Sequence, residues 1–244
     1  MTQMHMQESK IGTYSCDYNK IAKLSGILQE TQEAGRIQMA VNKPSYEDLQ
    51  EAGQGMMLSR LDLKIYDTIR FDEPLVVSTW ACDSSRATFL RRYVIEREGK
   101  VVVDASSQWV LVDLNTRKVL KVDEVDFSNY YMGEYKELFD SKLRIPRDTN
   151  FEELNKYEIC YSDLDYNKHM NNTYYADVLC DRIPELAEGT HRVESFRIHY
   201  KNEAALGETI TVMRNQNAEN SYLFRTIRND GEINIDSEIT LVKL

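Results

Sequence analysis

The segment Asp165-Tyr166-Asn167-Lys168-His169-Met170-Asn171-Asn172 begins with four residues that occur earlier in the same chain, as Asp17-Tyr18-Asn19-Lys20. Four matching residues alone could be a coincidence, so the sequence after each copy decides whether the chain contains a repeat. After both copies, apolar residues first recur at helical spacing and then alternate with polar residues, as in strands. The sequence therefore predicts one structural unit that occurs twice.

Each copy leads into a predicted helix with one apolar face. The residues of these faces recur every three or four positions: Ile21, Leu24, Ile27 and Leu28 in the first copy, and Tyr174, Tyr175, Val178, Leu179 and Ile183 in the second. An Asn or Asp before each helix predicts a side-chain cap. Gly35 predicts the end of the first helix, and Pro184 predicts the end of the second.

Strands follow in both halves. The alternating apolar residues are Val101, Val103, Ala105, Trp109 and Leu111 in the first half, and Phe196, Ile198, Tyr200, Ile233, Ile235, Ile239 and Leu241 in the second. A turn signal, Glu98-Gly99 or Asp230-Gly231, precedes the last strand of each half. One helix followed by about four strands, twice over, predicts an α+β fold. We place the first repeat at 1–122, a partly ordered connector at 123–156 and the second repeat at 157–244.

The composition excludes several classes of protein. With 244 residues and 42% hydrophobic residues, the chain can bury a core. A net charge of −10 argues against binding to nucleic acid, and no apolar run is long enough for a membrane span. The four cysteines are far apart, as free thiols in a reducing compartment would be. Because Met1–Lys10 lacks a signal peptide, we expect a cytoplasmic protein.

The second copy contains polar chemistry that the first lacks. His169 stands where the first copy has Ile21, and it lies among Asp and Asn side chains at the predicted start of a helix. A histidine can exchange protons near neutral pH, and the first N–H groups of a helix are unpaired. Asp and Asn are also ordinary turn and cap residues, so they fit a structural role as well. The difference between the copies predicts a polar site in the second repeat only.

The segment Asp165-x-Asn167-x-His169-Met170-Asn171-Asn172-x-x-Tyr175 resembles the D-x-N-x-H-V-N-N-x-x-Y motif of the acyl-acyl-carrier-protein thioesterases of plants and bacteria. Methionine in place of valine is an apolar exchange. Shorter matches upstream extend the resemblance over most of the chain: Ser59-Arg60-Leu61, Thr79-Trp80, Ser106-Ser107-Gln108-Trp109-Val110 and Leu114-Asn115-Thr116-Arg117-Lys118. The resemblance implies a tandem (double) hot-dog fold, each repeat a long helix wrapped by an antiparallel sheet. It also implies an acyl chain held in the N-terminal repeat and a catalytic C-terminal repeat.

The resemblance also implies the roles of individual residues. Tyr200-Lys201-Asn202-Glu203-Ala204 is similar to the family's Y-R-R-E-C segment, which makes Glu203 the acidic residue and, with alanine at 204, excludes a cysteine nucleophile there. The implied catalytic residues are Asp165, Asn167, His169 and Glu203, and the implied substrate-binding or oxyanion residues are Met170, Asn171 and Asn172. His169 and Glu203 would activate water, oriented by Asp165 and Asn167, while main-chain N–H groups around Met170 and Asn171 polarise the carbonyl. Direct attack by a carboxylate is the open alternative, and neither a cofactor nor a metal is implied.

The implied function is hydrolysis of fatty acyl thioesters of acyl-carrier protein, which releases free fatty acids and ends chain elongation. An acyl-CoA thioesterase of the same fold is the nearest alternative. A hot-dog dehydratase and a non-catalytic acyl-binding protein are two others. Acyl-carrier protein is the expected partner, and a homodimer is compatible with the sequence.

The net charge of −10 is unfavourable for docking an acidic carrier protein, so the implied function predicts a local basic patch. The candidates are Arg91, Arg92, Arg97 and Lys100 in the first repeat, Lys142, Arg144 and Arg147 in the connector, and Lys168 and Lys201 beside the site.

Overall fold

The computed structural model describes residues 3–85 and 87–244 and contains the predicted repeat. The first unit consists of β1 (His5–Ser9), α1 (Leu24–Asn42), α2 (Tyr46–Glu51), β2 (Gln54–Ile65), β3 (Leu75–Ser85), β4 (Thr88–Arg97) and β5 (Lys100–Asp113). A two-residue strand, β6 (Met132–Gly133), lies between the units. The second unit consists of β7 (Glu152–Glu158), α3 (Tyr174–Cys180), α4 (Pro184–Ala187), β8 (His191–Tyr200), β9 (Thr209–Ala218), β10 (Ser221–Arg228) and β11 (Ile233–Lys243).

All of these strands belong to one sheet whose order reads the same from both ends. The order is β1-β3-β4-β5-β2-β8-β11-β10-β9-β7, and β6 pairs with β3 off this path. In chain order, β7 to β11 of the second unit correspond to β1 to β5 of the first. With this correspondence, the strand order of the second half is that of the first half reversed. The two units meet where β2 and β8 run antiparallel, with Leu61 opposite Ile198 and Leu63 opposite Phe196. The α+β double hot-dog arrangement predicted above is confirmed.

The first helix is longer than the sequence predicts. We expected α1 to stop near Gly35, but it continues for seven more residues, to Asn42. Gly35 is buried inside the helix, and a side chain there would face Arg91 and Tyr93 on β4. This glycine therefore lies within the helix where it faces the sheet, and the prediction that it ends the helix was wrong.

The second helix is shorter than predicted, so the expectation of a long helix in each repeat was wrong for the second. α3 has seven residues and ends before Asp181, and Pro184 is the first residue of α4. Ile183 is extended (φ −112°, ψ 108°), as the ring of a following proline favours. The predicted Asn or Asp caps were also wrong, because the residues at the cap positions are Lys23 and Thr173, and neither side chain forms a capping hydrogen bond.

Residues 136–141, between the units, lie on the face of the sheet opposite the helices. The Phe139 ring lies 4.3 Å from the guanidinium carbon of Arg197, and Arg197 also donates to the carbonyl of Ser141. Arg92 donates to the carbonyl of Lys136 and pairs with Asp104. Part of the segment that we placed at 123–156 thus covers a polar outer face, whereas Phe127 and Tyr130 pack against Phe89 on the cavity side. The last residues of the segment already belong to β7, which pairs with β9.

The inner face of the sheet packs against the helices and forms the core. Leu28 of α1, Leu63 of β2, Phe196 of β8 and Leu179 of α3 are fully buried in one apolar cluster. The two main helices are also joined by a hydrogen bond, from Ser25 Oγ to Asp177 Oδ1 (2.6 Å). None of the helices that the structure describes combines the length and the apolar character needed to cross a bilayer.

Candidate active site

The two copies of the Asp-Tyr-Asn-Lys sequence form the same main-chain loop. Asp17 N donates to the Ile21 carbonyl at 2.8 Å, and Asp165 N donates to the His169 carbonyl at 3.0 Å. Both loops contain a lysine in the left-handed region, with φ 62° at Lys20 and 66° at Lys168. His169 and Ile21 therefore occupy equivalent positions.

The same loop construction brings a second chain segment to His169. Met170 N donates to the Ala204 carbonyl (2.8 Å), just as Ala22 N donates to the Ile69 carbonyl (2.9 Å) in the first unit. By this pairing, the residue before Ala204 corresponds to the one before Ile69, so Glu203 and Thr68 are equivalent. The second unit thus has an imidazole and a carboxylate where the first has an isoleucine and a threonine.

His169 and Glu203 are in direct contact. His169 Nε2 lies 3.3 Å from Glu203 Oε2, and the two side chains are 24% and 35% exposed. This distance is close to the hydrogen-bond range of a general base and its partner, which commonly tightens when substrate binds. The resemblance assigned these two residues to one site although 33 positions separate them in the sequence. In the structure their side chains are in contact.

A buried asparagine supports the loop that presents Glu203. Glu203 lies beyond the end of β8, not on the strand. The Asn234 carbonyl accepts the N–H groups of Lys201 (2.9 Å) and Asn202 (3.1 Å), and the Asn234 side chain donates to Tyr175 Oη at 3.0 Å. Asn234 is fully buried, so it ties the loop to α3 and to β11.

A cation from the first unit also reaches the carboxylate. Arg117, in the loop after β5, places Nη1 3.5 Å from Glu203 Oε2, and its side chain is 59% exposed. It has φ 58°, so it lies at a turn. The guanidinium and the carboxylate thus lie within ion-pair distance of each other, although exposure to solvent weakens the interaction.

Asp165 and Asn167 lie in the same cavity wall but bond to each other and to Tyr46. Asp165 Oδ1 accepts the Asn167 N–H (2.8 Å), and Asp165 Oδ2 accepts from Asn167 Nδ2 (3.3 Å). Asn167 Oδ1 accepts from Tyr46 Oη of α2 (2.7 Å), and burial raises the pKa of Tyr46. Within the described chain, neither side chain hydrogen-bonds the His169 ring, so the expected orientation of His169 by Asp165 and Asn167 is not direct.

The predicted oxyanion donors are not available as we expected. The Met170 N–H is used by the Ala204 carbonyl, and the Asn171 N–H donates to the Asp163 carbonyl at 2.8 Å. In contrast, the N–H groups of His169 and Asn172 have no hydrogen-bond partner among residues 3–85 and 87–244, and both residues line the cavity. The prediction that the Met170 and Asn171 N–H groups polarise the carbonyl was therefore wrong, because both already donate to main-chain carbonyls.

The side chains of Asn171 and Asn172 remain at the cavity wall. Asn171 Oδ1 accepts from the N–H and the hydroxyl of Thr173, both at 2.9 Å, which leaves its NH₂ group as a donor. The carbonyl of Asn172 accepts from Tyr200 Oη at 2.9 Å. Met170 is 3% exposed and belongs to the core.

These side chains border a cavity of about 870 Å³ that both units line. At one part of its wall are Asp165, Asn167, His169, Asn171, Asn172 and Glu203. Elsewhere the wall comes from α1, β2, β4 and β5, and contains Gly35, Met39, Met56, Phe89, Trp109 and Leu114. Its size matches that of small-molecule pockets in general, and its apolar part lies in the first unit.

The structure removes several candidates for a basic docking patch. Arg91 and Arg92 are 2% and 3% exposed, so neither can meet a protein partner. Arg97 pairs with Asp67 and Glu73, and Lys201 pairs with Asp236 at 2.5 Å. Lys168 is exposed beside the site. Lys142, Arg144 and Arg147 are exposed on the connector, which crosses the opposite face of the sheet.

Three residues of the site escaped sequence reasoning. Tyr46 and Arg117 come from the first unit, whereas the difference between the two copies predicted a polar site in the second unit only. The Arg117 region was noted only as part of the upstream match. Asn234 alternates with apolar residues on a strand, which made it look like a solvent-facing position. Among the described residues, no three His, Cys, Asp or Glu side chains come together in a way that could hold a metal ion.

Comparison with solved structures gives the same fold. An acyl-ACP thioesterase from Bacteroides thetaiotaomicron superposes with a TM-score of 0.89 at 21% identity, covering 98% of both chains. The 12:0-ACP thioesterase from Umbellularia californica superposes with a TM-score of 0.87 at 15% identity, covering 99% of this chain and 98% of that one.

Curated sequences also match. The oleoyl-acyl carrier protein thioesterase 1, chloroplastic, of Arabidopsis thaliana is 22% identical over 66% of this chain and 48% of its own length. A palmitoyl-acyl carrier protein thioesterase, chloroplastic, of Cuphea hookeriana is 21% identical over 85% and 54%. The chain thus spans about half the length of these curated relatives. Residues 2–131 match the model of the acyl-ACP thioesterase N-terminal domain, and residues 147–243 match that of the C-terminal domain. With both domain models matched in order, the chain belongs to the acyl-ACP thioesterase family.

Proposed function

We propose that the protein hydrolyses fatty acyl thioesters of acyl-carrier protein and so releases free fatty acids. The observation that carries this proposal is the His169–Glu203 contact of 3.3 Å in the wall of a cavity whose apolar part lies in the N-terminal repeat. An acyl chain fits the apolar part, and its thioester carbonyl then lies beside the two titratable side chains.

In the proposed reaction a water molecule attacks the carbonyl carbon. His169 and Glu203 together take the proton from this water, which makes its oxygen a better nucleophile. The carbon–sulfur bond then breaks, the carboxylic acid forms, and the departing thiolate regains a proton from the same pair. Since His169 and Glu203 are in contact, the proton can pass between them.

The negative charge that develops on the carbonyl oxygen needs hydrogen-bond donors. The N–H groups of His169 and Asn172 and the NH₂ group of Asn171 donate no hydrogen bond within the described part of the chain, and all three residues line the cavity. We assign the oxyanion role to this set. Asp165 and Asn167 act as positioning residues, because their bonds to each other and to Tyr46 stabilise the loop that carries His169.

A panel of C8 to C18 thioesters on acyl-carrier protein and on CoA tests the proposal. We expect the purified protein to hydrolyse the carrier-bound thioesters with the higher kcat/KM, and the Glu203→Gln variant to serve as the blank. Equal or faster hydrolysis of the CoA thioesters would instead indicate an acyl-CoA thioesterase. Binding of acyl chains without hydrolysis of either series would indicate a non-catalytic acyl-binding protein.

A further inference from the structure

The two equivalent loops use their aspartate carboxylates differently. In the first loop Asp17 Oδ1 accepts two main-chain hydrogen bonds, from the N–H of Asn19 at 2.8 Å and from that of Ile21 at 2.9 Å. In the second loop Asp165 stands at the position of Asp17, yet the N–H of His169 donates no hydrogen bond to any residue that the structure describes. Because the two loops have the same main-chain hydrogen bonds, the difference must come from side chains.

Asn167 occupies both oxygens of the Asp165 carboxylate. Oδ1 accepts the Asn167 N–H at 2.8 Å, and Oδ2 accepts from the side-chain Nδ2 atom at 3.3 Å. The oxygen of the Asn167 amide, Oδ1, accepts from Tyr46 Oη at 2.7 Å. An ionised carboxylate can only accept hydrogen bonds, so the NH₂ group must face Asp165 and the amide oxygen must face Tyr46. The tyrosine hydroxyl thus determines which way the amide points, and the amide holds the carboxylate.

Tyr46 is held by its helix and by a second aromatic ring. It is the first residue of α2, whose start is capped reciprocally: the Ser45 N–H donates to Asp48 Oδ2 at 2.6 Å, and the Asp48 N–H donates to Ser45 Oγ at 3.2 Å. The Tyr46 ring packs edge-on against Tyr166, with the ring centroids 5.3 Å apart. Burial raises the pKa of Tyr46, so its hydroxyl retains the proton that it donates.

Among the described residues, no hydroxyl holds the asparagine of the first loop. The Asn19 side chain forms no hydrogen bond within residues 3–85 and 87–244. It lies against Gly189, since a Cβ on that glycine would come within 2.5 Å of Asn19 Nδ2. Glycine has no side chain that could orient the amide. Without a fixed amide beside it, the Asp17 carboxylate turns to the N–H of Ile21.

We propose that Tyr46 acts through Asn167 to turn the Asp165 carboxylate away from the His169 N–H, which leaves this N–H available to the thioester carbonyl oxygen. Tyr46 and Asn167 are thus positioning residues of the oxyanion site, and the N-terminal repeat contributes one of them. The proposal rests on the proposed function, which assigns the His169 N–H to the oxyanion. The carbonyl oxygen gains its negative charge in the transition state, so loss of this donor should lower kcat more than it raises KM.

Amide hydrogen exchange, measured by nuclear magnetic resonance, tests the arrangement without substrate. In the wild-type protein we expect the His169 N–H to exchange about tenfold faster than the Ile21 N–H after correction for residue type, because only the latter is hydrogen-bonded. Tyr46→Phe removes the hydroxyl and keeps the ring. It should slow exchange at His169 about tenfold, because the Asp165 carboxylate turns to the N–H, and it should leave exchange at Ile21 unchanged.

Unchanged or faster exchange at His169 in Tyr46→Phe would overturn the proposal, as would equal exchange of the two N–H groups in the wild type. Since no thioester is used, the result is valid even if the protein hydrolyses none.

Turnover provides a second measurement. With a pantetheine thioester, Tyr46→Phe should lower kcat about tenfold, the effect of one hydrogen bond, and leave KM within about twofold of the wild type. Asn167→Ala should slow exchange at His169 to the same extent. Adding Tyr46→Phe to it should change neither exchange nor kcat further, because Tyr46 acts through Asn167. Any further loss of kcat in the double variant would contradict this order of action, and slowed exchange with a wild-type kcat would exclude the N–H from the oxyanion site.

Tyr18→Phe is the matched control. The Tyr18 hydroxyl also joins a loop to the other repeat, because it donates to the Ala187 carbonyl at 2.9 Å. Its removal should leave exchange at His169, kcat and KM at their wild-type values. An equal fall of kcat in Tyr18→Phe would assign the effect to a weaker contact between the repeats and would overturn the proposal.

Discussion

Ile21 and His169 occupy the same position in two loops with the same main-chain hydrogen bonds, yet only the histidine can take part in proton transfer. In both loops the carbonyl of this residue accepts the N–H of an aspartate, Asp17 or Asp165, four residues earlier. Ile21 is 8% exposed and packs as a core residue. The repeat thus provides its own comparison between a loop that only builds the fold and a loop that also presents a titratable group.

Replacement of His169 should reduce turnover steeply. We expect kcat of His169→Ala to fall by about 10²-fold or more, the usual contribution of a general base. Ile21→Val is the matched control in the other loop, where loss of one methylene should cost about 1 kcal/mol of stability and leave turnover nearly unchanged. Steady-state hydrolysis of a pantetheine thioester measures kcat of both variants. Near-normal kcat in His169→Ala would contradict the role that we assign to the imidazole.

Glu203→Gln should fold normally and lose most activity. Glutamine preserves the shape of the side chain and removes its basicity, so the contact with His169 persists while proton uptake is lost. We expect kcat to fall by about 10²-fold with a melting temperature close to that of the wild type. Thr68→Val, at the equivalent position of the first repeat, should leave kcat unchanged. A Glu203→Gln enzyme with wild-type kcat would exclude the carboxylate from the reaction.

Charge reversal at Lys168 should weaken docking of the carrier protein. Lys168 is exposed next to His169, so an acidic carrier whose thioester is at the site would approach this lysine. Lys168→Glu should raise KM for acyl-carrier-protein substrates severalfold and leave KM for a pantetheine thioester unchanged. The effect should shrink at high salt, because exposed charges are screened over about 8 to 10 Å. Lys142→Glu, on the connector at the opposite face of the sheet, is the control. Equal changes for both substrates would argue against a docking role.

Two glycines inside α1 should respond in opposite ways to the same substitution. Alanine gains about 0.5 to 1 kcal/mol over glycine in a helix interior. At Gly35 a new Cβ would lie 3.5 Å from Arg91 Cδ and from Tyr93, which is an ordinary contact, so Gly35→Ala should raise the free energy of unfolding. At Gly26 the same atom would lie 2.7 Å from Ser15 Cβ, so overpacking should make Gly26→Ala less stable by about 1 to 3 kcal/mol. Urea unfolding compares the stability of the two variants with that of the wild type. Destabilisation by Gly35→Ala would show that the helix and the sheet are closer than described.

Gly35→Ala should also change the preferred acyl chain. Gly35 lines the cavity, so the added methyl group takes space from the acyl chain. We expect kcat/KM to fall first for the longest accepted thioester, with shorter ones less affected. An unchanged chain-length profile would place the acyl chain elsewhere.

His199 should make the fold less stable in mild acid. Burial, followed by the nearby charges of Arg60 and Lys201, lowers the pKa of His199 to about 4. The unfolded chain, with an ordinary histidine pKa near 6.5, binds this proton more readily, so stability is complete above about pH 6.5 and falls as the pH drops toward 4. His199→Gln should flatten the loss of melting temperature between pH 7 and pH 5, whereas His5→Gln on the edge strand β1 should not. An unchanged slope in His199→Gln would assign the pH dependence to other groups.

The repeat and the main site residues could be predicted because they leave local signals. Asp-Tyr-Asn-Lys occurs twice, and the alternation from Phe196 to Tyr200 is that of a strand. Helix ends were harder, because Gly35 has the residue type of a helix terminus and yet lies inside α1, where the helix packs on β4. The oxyanion donors were assigned wrongly, because a sequence does not show that the Met170 N–H is already bonded to Ala204. Tyr46 and Arg117 were missed because they reach the site from the other repeat.

The antiparallel pairing of β2 with β8 also determines the order in which the protein can be completed on the ribosome. Leu63 meets Phe196, which is synthesised about 130 residues later, so β2 remains an open sheet edge for roughly ten seconds at typical rates of translation. During that time the nascent N-terminal repeat exposes unpaired backbone groups and the apolar side chains of its inner face, the features that promote edge-to-edge aggregation. A chaperone that shields this edge should therefore raise the soluble yield of the full chain. The increase should be smaller for variants in which the exposed β2 edge pairs less readily with other chains.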